Sequence, residues 1–269
     1  MSGTVYLVGA GPGAADLLTL RAVRLLERAD IVFYDALVPD GVLSISKKSV
    51  MVKVGKRSGR HSTAQHFINK QLADAARKYP VVVRLKGGDP MLFGRAHEEI
   101  AFLGKQGIRV EVVPGVTAAL GASAELGVSL TRRGLSRSVV FVTPRAGKGE
   151  RANDWVKVVL AADTAGIYMG AGQAKEISRA LIAAGKSPAT PLVVVENASL
   201  PEARRHFGVL GQLELTAARS SGGPVLILLG EVYREAAASQ IITAWPNEQS
   251  SSSPTARAVR IGRARSSSS

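Results

Sequence analysis

The stretch VVVRLKGGDPMLFGR (81–95) is the most informative part of the sequence, because a run of β-branched residues stops at two glycines and an Asp-Pro pair. Val81 to Leu85 has the composition of a buried strand, and Gly87-Gly88-Asp89-Pro90 then forms a loop at the sheet edge. Glycine has no Cβ atom, so a ligand can approach the backbone closely, while Pro90 disfavours helix at Asp89. The loop is predicted to bind a ligand, and an ordinary Gly-Asp-Pro turn fits the spacing equally well.

A second loop of this kind lies near the start of the chain. Val5 to Val8 leads directly into Gly9-Ala10-Gly11-Pro12-Gly13, and a helix is predicted near Leu17 to Arg28. The pattern differs from the dinucleotide fingerprint GxGxxG, because its third glycine comes one residue early and Pro12 has no amide to donate to a phosphate. Two interpretations stay open here: a weakly supported phosphate cradle and a tight strand-to-helix turn.

The first part of the chain alternates between strand and helix patterns. This alternation predicts parallel βαβ units with helices covering a sheet, and ligands then gather at the carboxyl ends of the strands. The predicted elements are strands Val5–Val8, Ile31–Tyr34, Val81–Leu85 and Arg109–Val113, and helices Leu17–Arg28, Ala64–Lys78 and Ala96–Gln106.

The second part favours a mixed sheet with fewer helices, because its strand patterns suit hairpins as well as βαβ units. A connection beginning at Pro114 and a helix at Thr117–Leu126 separate the two parts. We therefore expect an N-terminal α/β domain over 1–115, a C-terminal α/β domain over 116–240 and a disordered basic tail over 241–269. The predicted elements are strands Ser138–Thr143, Thr164–Met169, Pro191–Asn197, Gly208–Leu215 and Val225–Leu229, and a helix at Ala174–Ala184.

Composition limits the possible chemistry. The chain has 269 residues and no cysteine, which excludes disulfides, a thiolate nucleophile and cysteine metal sites. Of the four histidines, His61 and His66 are five residues apart without a third ligand nearby, so no metal site is predicted. Neither a signal segment nor an apolar run long enough to cross a bilayer is found, and we expect a cytoplasmic protein without a membrane partner.

The formal net charge of +14 favours an anionic partner. The serine- and arginine-rich segment after Gln249 carries part of this charge, and a solvated extension is favoured there over nucleic-acid binding. The other basic residues near the predicted loops favour a small polyanionic substrate: Lys53, Lys56, Arg57, Arg60, His61, Arg84, Lys86, Arg95, Arg132, Arg133 and Arg137.

Two further positions follow predicted strands. Asp35 comes directly after Ile31–Tyr34, where a carboxylate can serve a site at the sheet edge, or simply cap a helix or stabilise a turn. Lys56 follows the segment MVKVG (51–55) in the same way, and a lysine there can donate a proton, pair with an anion or remain a solvated surface residue.

With these loops, Asp35 and Lys56 in place, the chain resembles the tetrapyrrole methylases from about Thr4 to Val232. The resemblance implies the class III methyltransferase fold, in which two α/β domains enclose S-adenosylmethionine, and a homodimer. It also implies C-methylation of uroporphyrinogen III at C2 and C7 to precorrin-2, with S-adenosylhomocysteine as the second product. The supporting motifs are VYLVGAGPG (5–13), LLTLRAVRLLERADIVFYDALV (17–38), VGKRSGRHS (54–62), VVRLKGGDPMLFGR (82–95), VEVVPGVTAALGASAELGVSLT (110–131), YMG (168–170) and VVVEN (193–197).

The resemblance also implies roles for individual residues. Asp35 would accept a proton, Lys56 would donate one, and Arg95 would also be needed. The basic residues near the loops would bind the eight carboxylates of the substrate. The residues implied to contact S-adenosylmethionine are Pro12, Gly87, Gly88, Asp89, Leu92, Thr117, Ala118, Met169 and the backbone at Ala198.

Three segments depart from the family pattern. Ala14 stands where an acid is frequent, Thr131-Arg132-Arg133-Gly134 replaces Thr-His-Arg-Asp, and Thr143-Pro144-Arg145 replaces Thr-Gly-His. The alternatives are a precorrin methylase that acts on a later ring intermediate, a diphthine synthase or ribosomal RNA methylase of the same fold, and a non-catalytic anion-binding protein.

Overall fold

The structure is a computed structural model that describes residues 2–54, 65–146 and 153–239. Its first sheet has five strands, and every pairing between them is parallel. The strands are β1 (Thr4–Gly9), β2 (Ile31–Tyr34), β3 (Val50–Lys53), β4 (Val81–Lys86) and β5 (Val110–Val113). Their order is β3-β2-β4-β1-β5, so β4 is the central strand, β1 lies next to it, and the carboxyl ends of these two parallel strands are adjacent.

Helices cover both faces of this sheet, as the alternating pattern predicts. They are α1 (Leu20–Arg28), α2 (Asp40–Leu43), α3 (Gln65–Ala76) and α4 (Ala96–Lys105). Helix α1 begins three residues after the predicted start, because residues 15–17 form a 3₁₀ turn and the Thr19 hydroxyl caps the helix by accepting from the Ala22 amide at 3.2 Å.

The alternation of side chains along β4 divides the core of the first domain. Val82 packs on the face covered by α3 and α4, where Leu72 and Leu103 are buried. Val83 and Leu85 pack on the opposite face against α1. Because successive side chains of a strand point to opposite faces, Arg84 and Lys86 share the face of Val82.

The second sheet is mixed, as predicted, with the order β6-β7-β10-β8-β9. Only the β6–β7 pairing is parallel among the four that the described residues form. The strands are β6 (Val139–Val142), β7 (Thr164–Tyr168), β8 (Pro191–Glu196), β9 (Arg204–Val209) and β10 (Val225–Gly230). The helices are α5 (Ala118–Leu126), α6 (Trp155–Ala161), α7 (Ala174–Ala183), α8 (Leu213–Ala217) and α9 (Arg234–Ser239).

One predicted strand is wrong. The segment Gly208–Leu215 is not a strand, because β9 ends at Val209 and is followed by a 3₁₀ turn and α8. Leu210 and Leu213 are buried while Leu215 is 72% exposed. The three-residue spacing of the buried leucines is helical, and the apolar residues alone did not distinguish it from a strand.

The segment between β5 and α5 joins the two sheets. The predicted boundary between residues 115 and 116 falls in this segment and stays a prediction, as does the tail over 241–269, which lies outside the described residues. None of the helices in the described ranges combines the length and the apolar character needed to cross a bilayer.

Candidate active site

Three glycine-containing segments cross at the carboxyl edge of the first sheet. Gly11, after β1, exchanges two backbone hydrogen bonds with Gly88, after β4, at 2.7 and 3.2 Å. A Cβ atom built on Gly115, after β5, would lie 2.3 Å from the carbonyl oxygen of Gly88 and 2.8 Å from the Cα atom of Gly9. Backbone therefore packs directly on backbone, and glycine is required at Gly9 and Gly115 for this close approach.

Gly88 has a different environment from these two glycines. Its φ of +67° lies in the left-handed region, and the nearest atom to a Cβ built on it is the Thr117 Cα at 4.0 Å. The Cβ side of Gly88 is therefore open, and its backbone conformation favours glycine. Both features fit a loop whose backbone faces a ligand.

Asp89 holds this loop in place. One carboxylate oxygen accepts from the Met91 amide at 2.8 Å, and the other accepts from the Gly115 amide at 2.9 Å. The first contact is the local turn bond that aspartate commonly makes, and the second ties the β4 loop to the segment before α5. The turn interpretation is thus correct for the carboxylate, and a ligand contact at Asp89 stays a prediction.

Tyr168, at the end of β7, connects the start of α5 with the loop after β4. Its hydroxyl is 2.7 Å from the Thr117 hydroxyl and accepts from the Ala119 amide at 3.0 Å. Its ring packs against Phe93 with centroids 5.2 Å apart. Burial raises the pKa of the Tyr168 hydroxyl above its usual value. The adjacent Met169 has a φ of 56° and is 45% exposed, so it is presented beside Tyr168 at the same edge.

The turn after β8 is tied to the first glycine loop. The Ser199 hydroxyl accepts from the Ala14 amide at 2.9 Å, and the Ser199 amide donates to Glu125 at 2.9 Å. A Cβ atom on Gly13 would lie 3.2 Å from the carbonyl oxygen of Ala198. Glu125 in turn forms a salt bridge with Arg205 of β9. The turn that carries Ala198 is therefore fixed against the loop that carries Pro12.

The structure thus brings together the five segments that carry the predicted donor contacts. Pro12 also packs on α5, because a Cβ atom on Gly121 would lie 2.8 Å from its Cγ atom. Leu92 follows in the β4 loop, where its amide donates to the Asp89 carbonyl at 3.3 Å. That these residues contact a methyl donor stays a prediction.

Asp35 lies at the carboxyl end of β2 and is ion-paired. Arg84 donates to its carboxylate from Nη2 at 2.5 Å, and the Asp35 side chain is 28% exposed while that of Arg84 is 3% exposed. The following helix α2 has Pro39 at its N-cap, so Asp35 does not cap it. The carboxylate is held by a buried cation and reaches solvent.

Sequence reasoning missed the partner of Arg84. Glu99 of α4 is fully buried and accepts from Arg84 Nε at 3.2 Å. Lys86 donates to both of its oxygens at 3.2 and 3.1 Å. Burial lowers the pKa of the Lys86 ammonium, and the charge of Arg84 adds to this effect. A sequence signal for this acid was present: Arg84 and Lys86 stand two positions apart in an apolar strand, so both point to the same buried face and need an acid opposite them.

Of the other two predicted catalytic residues, the structure describes Arg95 but not Lys56. Arg95 stands at the start of α4 with a φ of 55°, and its guanidinium binds the Glu98 carboxylate in a bidentate pair at 2.7 and 2.8 Å. Its side chain is 53% exposed. Lys56 lies outside the described residues, together with Arg57, Arg60 and His61.

Two of the three departures from the family pattern, residues 131–134 and 143–145, lie on the second domain, whereas Ala14 lies in the first glycine loop. Arg132 forms a salt bridge with Glu235 of α9 at 2.9 Å, and Gly134 turns the segment with a φ of +80°. After β6, the Thr143 hydroxyl accepts from the Arg145 amide at 3.3 Å. Across residues 2–54, 65–146 and 153–239, no cluster of three or more His, Asp or Glu side chains is placed to hold a metal ion.

The fold and the crossing loops define a two-domain α/β protein in which glycine loops meet at the carboxyl edge of a parallel sheet. The chain belongs to the tetrapyrrole (corrin/porphyrin) methylases, whose family profile matches residues 4–214. The predicted family and its two-domain methylase fold are therefore confirmed.

Named relatives agree with this assignment. Siroheme synthase 1 of Cronobacter sakazakii is 44% identical over 233 residues, which are 86% of this chain and 49% of that relative. Uroporphyrinogen-III C-methyltransferase of Pseudomonas aeruginosa is 43% identical over 236 residues, 87% of this chain and 96% of that relative. The chain thus spans about half the length of the siroheme synthases it matches.

A solved structure shows the same fold. It is uroporphyrin-III C-methyl transferase from Thermus thermophilus complexed with S-adenyl homocysteine. Its sequence is 40% identical, its TM-score is 0.77, and the match covers 87% of this chain and all of that chain.

Proposed function

We propose that the chain transfers methyl groups from S-adenosylmethionine to uroporphyrinogen III, at C2 and then C7, to form precorrin-2. The similarity to the Pseudomonas aeruginosa methyltransferase over nearly its whole length supports the substrate. The observation that carries the proposal is the meeting of five loop segments at one sheet edge, beside a carboxylate that a buried arginine holds at 2.5 Å.

The residues present fit the methyl donor. The open Cβ side of Gly88 leaves room beside the loop, and the exposed Met169 offers a soft apolar side chain at the same edge. Pro12, Gly87, Gly88, Asp89, Leu92, Thr117, Ala118, Met169 and Ala198 would hold the donor, mainly through backbone groups and small side chains. When bound, S-adenosylmethionine supplies an activated methyl group on a sulfonium, so the protein has to align the acceptor carbon and exclude water.

Asp35 is suited to accept the proton that the ring must lose after methylation. The methylated carbon already carries a side chain and has no hydrogen, so this proton leaves from a pyrrole nitrogen or a neighbouring meso carbon. Its carboxylate reaches solvent, and Arg84 fixes its orientation. A positioned general base typically contributes about 10²–10⁴-fold to the rate. Lys56 is proposed as the proton donor, and the exposed guanidinium of Arg95 is proposed to bind substrate carboxylates.

The relatives named siroheme synthase favour siroheme formation as the use of the product. We further propose that the protein is a cytoplasmic homodimer, which light scattering of the purified chain would test.

The experiment is anaerobic incubation of the purified chain with methyl-labelled S-adenosylmethionine and separate acceptors. The acceptors are uroporphyrinogen III, a later precorrin, and bulk RNA. Label is expected in uroporphyrinogen III, with precorrin-2 as the product. If only the later precorrin is labelled, that precorrin is the substrate instead of uroporphyrinogen III. If only RNA is labelled, the substrate is a nucleic acid and not a tetrapyrrole. A chain that binds S-adenosylhomocysteine but labels none of them would refute the proposed function.

A further inference from the structure

The face of β4 that packs against α4 contains more charged side chains than is usual in a protein interior. Arg84 and Lys86 are 2% and 4% exposed, and Glu99 is fully buried between them. Gln65 of α3 also donates to Glu99, at 3.1 Å. An acid this deep requires compensation, because a buried charge without partners costs several kcal/mol. Two cations and an amide provide that compensation here.

The guanidinium of Arg84 is fixed at three points. Its Nε donates to Glu99 at 3.2 Å, its Nη1 donates to the Leu85 carbonyl at 3.2 Å, and its Nη2 donates to Asp35 at 2.5 Å. A planar guanidinium with one edge anchored has little freedom at the other edge. The contact with Glu99 therefore determines the position of Arg84 Nη2, the nitrogen that donates to Asp35.

We propose that Glu99 is a positioning residue for methyl transfer, which it serves by orienting Arg84 and, through Arg84, the carboxylate of Asp35. The inference rests on the proposed function, in which Asp35 accepts a proton. Glu99 is sealed from solvent and cannot touch a substrate, so its influence on the reaction has to pass through Arg84. The salt bridge to Lys86 makes the same acid a link to the loop that begins at Gly87.

A double-mutant cycle separates positioning from a general structural role. Glu99→Gln keeps the shape of the side chain and is expected to lower kcat by about 10²-fold, the effect of misplacing a reacting group by about 1 Å. The affinity for S-adenosylhomocysteine is expected to stay within about threefold of wild type. In an Asp35→Asn background the same substitution should have no further effect on kcat, because coupled residues are non-additive. Equal losses of kcat in both backgrounds would overturn the proposal.

Glu111→Gln is the matched control. Glu111 lies in the same domain and forms an exposed salt bridge with Arg109 at 2.6 Å. The control should leave kcat unchanged, because exposed pairs contribute little to stability and this one lies outside the proposed site. If Glu99→Gln fails to fold, Glu99→Asp replaces it in the cycle. Aspartate retains the charge but is one methylene shorter, so it cannot hold Arg84 Nε in the same position and a similar non-additive loss is expected.

A crystal structure of Glu99→Gln, or of Glu99→Asp if the first variant fails to fold, tests the positioning role without an activity measurement. Loss or displacement of the contact between residue 84 and Asp35 supports the proposal. An Asp35 carboxylate in the wild-type position and contact overturns it. A wild-type chain that does not methylate uroporphyrinogen III would refute the proposed function instead, and this structural comparison would still decide whether Glu99 orients Asp35.

Discussion

Gly115→Ala tests whether the crossing of the loops is as close as the structure describes. The new Cβ atom would lie 2.3 Å from the Gly88 carbonyl oxygen, 2.8 Å from the Gly9 Cα atom and 3.0 Å from the Gly9 carbonyl carbon. All three neighbours are backbone atoms, so no side chain can rotate away. Since ordinary contact begins at 3.4 Å, the loop after β4 has to move by about 1 Å.

This displacement sets the size of the expected effects. Overpacking of this kind costs about 1–3 kcal/mol in the free energy of unfolding, which urea denaturation measures. Because Gly88 lies in the proposed donor site, we also expect kcat/KM to fall by about 10²-fold, the typical consequence of a 1 Å misplacement. Calorimetric titration with S-adenosylhomocysteine should show weaker binding.

Gly104→Ala is the control, because the same glycine-to-alanine substitution should here raise the free energy of unfolding instead of lowering it. Gly104 lies near the end of α4, and a Cβ atom there would have no neighbour within 4 Å. Alanine should stabilise the protein by up to about 1 kcal/mol through helix propensity. If Gly115→Ala instead unfolds at the same urea concentration as wild type and binds S-adenosylhomocysteine equally well, the close crossing of the three segments is refuted.

Three further substitutions test other parts of the account. Asp35→Asn should lower kcat by about 10²–10⁴-fold while titration with S-adenosylhomocysteine gives unchanged affinity, and retained kcat would remove Asp35 from the reaction. Ser199→Ala removes the acceptor of the Ala14 amide and should cost about 1 kcal/mol in urea denaturation; no change would show that this contact does not join the domains. Tyr233→Phe should raise stability at neutral pH by up to about 1 kcal/mol, because the buried hydroxyl has no hydrogen-bond partner within the described part of the chain. Burial raises the pKa of Tyr233 above 10.0, so the unfolded chain loses this proton first and stability falls as the pH rises above 10.0; denaturation at several alkaline pH values should show a smaller fall in the phenylalanine variant.

The sequence was sufficient to predict the loops but not how they pack. A β-branched run ending in glycine identified the ends of β1 and β4, because strands and tight turns leave a local pattern. Whether glycine served geometry or a ligand was left open. The structure gives different answers for different glycines, since Gly115 is packed against backbone whereas Gly88 has open space beside it. Such distances depend on chain segments far apart in sequence.

The ion network around Asp35 shows a second limit. Arg84 and Lys86 were interpreted as part of a basic surface for the substrate, yet both are buried and paired with Glu99. Charge counting alone cannot separate surface cations from interior ones. The alternation of Arg84 and Lys86 with apolar residues in a buried strand could have identified them as interior cations, because one face of β4 had to pack against a helix. The position of Glu99 on that helix depends on how α4 packs, which local pattern does not determine.

We propose that this chain methylates uroporphyrinogen III twice. The most direct test is anaerobic incubation of the full chain with uroporphyrinogen III and excess S-adenosylmethionine, followed by mass spectrometry of the tetrapyrrole and its absorbance. We expect a product that carries two added methyl groups and has the spectrum of precorrin-2. An unmodified tetrapyrrole, from a chain that still binds S-adenosylhomocysteine, would contradict this proposal.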